Sequence, residues 1–142
     1  VVARAAGELT AEPAPWSPYA ATADGCAVPQ VVFTDPAVAL VGRSAEQARE
    51  DGLEVDVVER GIDVAGAALH ADGYRGWAQL VVDRHRRVLV GVAFAGPDVT
   101  ELLHAATMAV VGEVPLERLW HAVPVFPTVS EVWLRLLEDC GL

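Results

Sequence analysis

Trp77-Ala78-Gln79-Leu80-Val81-Val82-Asp83, then Arg84-His85-Arg86-Arg87, then Val88-Leu89-Val90-Gly91-Val92-Ala93-Phe94-Ala95: the fold turns on how this run is read. Two segments rich in β-branched and aromatic residues flank four polar ones, which is the pattern of an antiparallel hairpin. The Arg-rich joint reads as a solvated turn. Working outward, Gln30 to Thr34 is a further short strand closed by Asp35-Pro36, and Ala37 to Gly42 is extended again. Leu53 to Glu59 alternates Leu and Val with Glu and Asp, the period of a half-buried strand. Residues 61–75, punctuated by Gly61, Gly66 and Gly73, read as irregular.

Helices announce themselves by their ends. Ser44 and Gln47 have the spacing of a capping box, and Asp51-Gly52 closes that helix with a residue suited to left-handed backbone. Asp98 and Glu101 repeat the spacing after Pro97, ahead of an apolar face of Leu102, Leu103, Ala106, Ala109 and Val110 that Gly112 stops. Pro115 is suited to the first turn of a short helix, Leu116 to Trp120. Thr128 and Glu131 make a third box at the head of an apolar run from Val132. Strands gathered around a hairpin, with helices mostly after them, predict an α+β fold. The expectation is a two-layer sandwich with a mainly antiparallel sheet and helices packed on it.

The chain has 142 residues, enough for one domain with a real core. Its formal charge of -10 argues against nucleic acid or an anionic membrane as partner, because both need a basic surface. No apolar run approaches the roughly 20 residues of a membrane span. Cys26 and Cys140 lie far apart without a CxxC or metal spacing, so they read as two unpaired thiols of a cytoplasmic protein. All ten basic residues are Arg. The chain starts at Val1, and Val1 to Ala6 reads as the tail of a helix ended by Gly7; a piece of something longer is expected. Residues 8–29, with Trp16 and Tyr19 among prolines and alanines, read as an extended connector.

Chemistry-bearing residues are few. No Gly-rich phosphate loop is present, so a nucleotide cofactor would have to be held elsewhere. His70, His85, His104 and His121 are scattered and lack the spacing of a metal pair; no metal site is expected. Ser130 lacks the context of a nucleophilic serine. The informative stretch is Val123-Pro124-Val125-Phe126-Pro127-Thr128-Val129-Ser130-Glu131. Its prolines stiffen an extended approach and hold an aromatic at the tip. Glu131 has two readings: a helix cap, or a carboxylate that orients a catalytic base.

Val32-Phe33-Thr34-Asp35-Pro36-Ala37-Val38-Ala39-Leu40-Val41-Gly42 and Phe126 to Glu131 together resemble two motifs of one family. They are similar to the opening and closing segments of the C-terminal dimerisation domain of pyridine nucleotide–disulfide oxidoreductases, the group of dihydrolipoamide dehydrogenase, glutathione reductase and mercuric reductase. Gln79 to Asp83, the Leu89 to Pro97 strand and Glu101-Leu102 fall between them in the family's order, and the match runs over about residues 28 to 138. The resemblance implies that residues 28–142 are a dimerisation domain and residues 1–27 a connector from an upstream flavin and nucleotide domain. It implies a homodimer, and a parent that binds FAD and NAD(P) although this chain holds neither, so the chain alone is expected to be inactive. The closing loop would complete the partner subunit's flavin site, with Phe126 and Pro127 as flavin contacts. The family's loop carries a His that acts as acid–base for a thiol, and a Glu that orients it. Here Phe126 stands at the His position. A phenyl ring carries no proton, so thiol–disulfide chemistry through this residue is excluded, and Glu131 keeps its capping reading without an imidazole to orient. Cys140 resembles one of the C-terminal thiols of mercuric reductase, but those work as a pair. The alternative is an autonomous α+β interaction module without a redox role.

Overall fold

A computed structural model describes residues 23–142. The connector reading of residues 1–27 therefore falls mostly outside the described residues, and within it Ala23–Cys26 forms a single helical turn, α1, where extended chain was expected. Five strands follow: β1 (Gln30–Val32), β2 (Ala37–Gly42), β3 (Val55–Gly61), β4 (Trp77–Asp83) and β5 (Val88–Gly96). They form one sheet in the order β1-β2-β5-β4-β3, antiparallel at every seam. The hairpin read from sequence is thus the centre of the sheet, with Leu80 opposite Val92 and Ala78 opposite Phe94.

Local chemistry explains the hairpin's sharp joint. Asp83 is buried, and its Oδ1 accepts the backbone N–H groups of His85 and Arg86, both at 2.9 Å. The side chain stands in for a backbone partner and nucleates the turn. Arg87 takes a left-handed conformation at φ 53°, and its N–H returns to the Asp83 carbonyl. Arg84, Arg86 and Arg87 splay outward onto Asp56, Glu113 and Glu117. Gly91 is required by a close approach: a Cβ there would lie 1.8 Å from the Arg43 carbonyl oxygen.

The main core lies on one face of the sheet. Ala39, Val41, Leu80 and Phe94 meet helices α4 (Leu103–Val111) and α6 (Val132–Asp139), which contribute Ala106, Val110, Val132 and Leu136. Phe94 is fully buried and meets Trp133 edge-on with ring centroids 5.8 Å apart. On the opposite face α2 (Ala45–Glu50) covers one end, packing Ala48 onto Val55, Val81 and Val90. The molecule is an α+β sandwich with an antiparallel sheet.

Several elements depart from the sequence reading. The segment read as irregular contains a helix, α3 (Ala65–His70). No side chain caps its start at Val64, which is why no end signal marked it. The Asp98–Glu101 capping box does not form. Asp98 sits in left-handed backbone at φ 53°, which turns its carboxylate away from the helix; that carboxylate meets His70 Nε2 at 2.6 Å instead. The chain there opens as a 3₁₀ turn, Val99–Leu102, before α4 begins. By contrast the Ser44–Gln47 box is present with both arms, and Gly52 takes the left-handed position that closes α2. Helix α5 (Leu116–Leu119) starts after Pro115 as expected.

Candidate functional site

The closing loop leaves α5 at Leu119 and enters α6 at Val132 through a 3₁₀ turn, Val129–Glu131. Its tip is held in two ways. The Thr128 hydroxyl donates to the Val125 carbonyl at 2.6 Å, pinning together the two residues on either side of Phe126-Pro127. Glu131 Oε1 accepts the Thr128 N–H at 3.0 Å, the carboxylate arm of the capping box. The other arm is the weaker, since the Glu131 N–H points chiefly at the Thr128 carbonyl, 3.1 Å away. The same Glu131 oxygen also accepts the Gly66 N–H of α3 at 2.9 Å.

Phe126 and Glu131 therefore do not converge. The carboxylate is half-buried and turned onto backbone N–H groups, while Phe126 is 72% exposed. Val123 and Val125, 79% and 72% exposed, extend the apolar tip, and Met108 of α4 is 57% exposed nearby in the fold's helical layer. Between α4, α5, the loop and α6 runs an apolar groove of about 330 Å³, lined by Leu102, Met108, Pro124, Ser130 and Trp133. Trp133 Nε1 is buried without a hydrogen-bond partner among the described residues.

The other candidates stay apart. His121 and His104 are exposed. His85 lies 3.5 Å from Glu54 on the hairpin turn. Ser130 lines the groove without a His beside it among the hydrogen bonds of the described residues. Burial holds the Cys140 thiol above the ordinary range, opposed by Arg87, and Cys26 is exposed in a different part of the fold; both are free. No group of His, Cys, Asp and Glu among the described residues could hold a metal ion. Sequence reasoning missed two contacts, Gly66 with Glu131 and His70 with Asp98. Gly66 lay in a stretch without helical period, and the only hint was the small-residue run Ala65-Gly66-Ala67. His70 and Asp98 lie 28 positions apart and no local spacing links them.

Comparison with known proteins bears on this loop. Residues 28–137 match the family described as pyridine nucleotide-disulphide oxidoreductase, dimerisation domain. Over 110 residues, 78% of this chain, the sequence is 30% identical to dihydrolipoyl dehydrogenase of Chlamydia pneumoniae, of which that covers 24%. It is 36% identical over 112 residues to mercuric reductase of Acidithiobacillus ferrooxidans, covering 79% of this chain and 20% of the relative. The HOCl-induced flavoprotein disulfide reductase RclA from Escherichia coli has a similar fold, with a TM-score of 0.73 at 28% identity, over 81% of this chain and 26% of that one. The chain thus spans about a quarter of the length of such relatives.

Proposed function

Since the chain belongs to the dimerisation-domain family of pyridine nucleotide-disulphide oxidoreductases, we propose that it serves an FAD- and NAD(P)-dependent oxidoreductase as the unit that pairs two subunits. Each copy sets its closing loop beside the other's flavin. The observation that carries this reading is the tip itself. An exposed Val123-Val125-Phe126 surface stands on a loop tied at Thr128 and Glu131, beside an apolar groove. Exposed aliphatic and aromatic side chains next to an apolar groove are suited to a twin chain across a two-fold axis.

Flavin bound in the parent would supply hydride transfer. This chain has no nucleotide loop and offers only a wall: Phe126 and Pro127 would exclude water and present an apolar face to the partner's flavin. Phe126 has no proton to give or take. Glu131 has its Oε1 bound to two N–H groups and no imidazole at position 126 to orient. A thiol acceptor needing an acid–base at this position would not be served; a small, quinone-like acceptor that takes hydride from flavin directly would be. We assign the connector role to residues 1–27, the dimerisation domain to residues 28–142, and a cytoplasmic location; no helix of the described residues is long and apolar enough to cross a membrane.

The experiment is analytical ultracentrifugation of the chain over a range of concentrations. A dimer is expected. A strict monomer at the highest concentration would contradict the pairing.

A further inference from the structure

We propose that Gly66 and Glu131 form a staple that makes α3 the strut of the closing loop, so that Gly66 is a positioning residue for Phe126. The staple stands on the geometry of this chain; its bearing on a flavin rests on the function proposed above. A capping carboxylate ordinarily serves only the N–H at the head of its own helix. Here one oxygen of Glu131 takes two donors, Thr128 at 3.0 Å and Gly66 at 2.9 Å, and the second comes from 65 positions upstream. Hydrogen bonds to a carboxylate are charge-assisted and hold geometry better than neutral ones.

Backbone contact reinforces the bond. A Cβ on Gly66 would lie 2.0 Å from the Thr128 carbonyl carbon and 2.3 Å from its oxygen. Neither is the end of a flexible side chain, so any larger residue at 66 displaces Thr128. Thr128 in turn is tied to Val125 through its hydroxyl at 2.6 Å, and Phe126-Pro127 lies between the two. A shift at 128 therefore moves the tip. The far end of α3 is anchored as well: His70 Nε2 lies 2.6 Å from Asp98 Oδ2, and the Tyr74 hydroxyl donates to the Pro97 carbonyl at 2.8 Å. Helix α3 thus spans from the β5–α4 connection to the loop, fixing the tip relative to α4.

Amide hydrogen exchange followed by NMR tests this on the chain itself. The Gly66 and Thr128 amides are expected to be protected together. In Glu131→Ala both should exchange at least about tenfold faster, as for a locally opened segment. Glu131→Gln, which keeps a carbonyl oxygen, should restore much of the protection. Gly66→Ala should move the amide resonances of Val125 and Phe126 while those of Leu80 and Val92 in the sheet stay in place. If Glu131→Ala frees Thr128 but leaves Gly66 exchange unchanged, Glu131 is a plain cap and the staple is refuted. Should Gly66→Ala not fold, the Glu131 pair of variants decides alone. Sedimentation of the same samples separates the two ideas: a monomer with joint protection contradicts the pairing, and a dimer with unlinked amides contradicts the staple.

Discussion

Phe126 marks what the loop cannot do. Its exposed ring carries no ionisable group, so replacing it restores only one part of a thiol-handling site. In the flavin-bearing parent proposed above, Phe126→His alone is expected to give no thiol–disulfide turnover with a dithiol substrate under anaerobic conditions, because such turnover also needs a cysteine pair that this chain does not supply; thiol-dependent turnover by the single variant would contradict this. Thr128 has a different role. Its hydroxyl bond to Val125 and its place at the head of the 3₁₀ turn that leads into α6 predict that Thr128→Ala loses about 1 kcal/mol of stability in urea unfolding. The two thiols should also differ. Burial raises Cys140, so alkylation at pH 8 is expected to reach the exposed Cys26 first. A folded pKa raised this way contributes stability below the unfolded thiol's value of about 8.5 and loses it as pH climbs through the folded value. Much of this was legible in the residues: Thr128 and Glu131 are three apart, and such spacing is read directly. The Gly66 partner was not, because hydrogen bonds to a backbone N–H leave no trace in residue type. Asp98 misled for a related reason, since capping spacing says nothing about the φ of the capping residue, and here φ is 53°.

The central hairpin was the most legible element, because alternating strands and a polar joint specify their own pairing. Residues 61–75 were the least legible. Helix α3 is six residues long, too short to show a period, and owes its place to contacts with the loop and the β5–α4 connection. Two element-level outcomes follow. Phe94 is fully buried under α6, so Phe94→Ala is expected to lose about 3–5 kcal/mol in denaturant unfolding, as a large ring leaves a cavity. The hairpin turn should give an acid signature. Asp56 is held below the usual carboxylate range by its hydrogen bonds with Arg84. Glu117 is held low by its own backbone N–H and then by Arg87. Lowered folded values contribute stability above the unfolded carboxylate pKa, about pH 4, and that contribution is lost as pH falls through the folded values. Stability should therefore drop below about pH 4, and Arg84→Met should flatten the drop; an unchanged acid profile in that variant would remove the turn from the account.

Taken whole, the molecule buries one face of its sheet under α4 and α6 and leaves an apolar tip and groove on its helical side. The α+β class and the order of the strands and of α2, α4, α5 and α6 were readable from hydrophobic period and end signals; α1 and α3 were not. Which surface meets another chain was not, since exposure is a property of packing and not of residue type. Two acidic chains of charge -10 repel at long range, so any pairing must draw on apolar contact and should strengthen as salt screens that repulsion. Sedimentation equilibrium of the chain, run from low to high concentration at about 0.15 M salt, is the decisive measurement. A concentration-dependent dimer that Phe126→Asp or Val125→Asp weakens is the result expected; a monomer throughout, indifferent to charge placed on the tip, would contradict the role given to this loop.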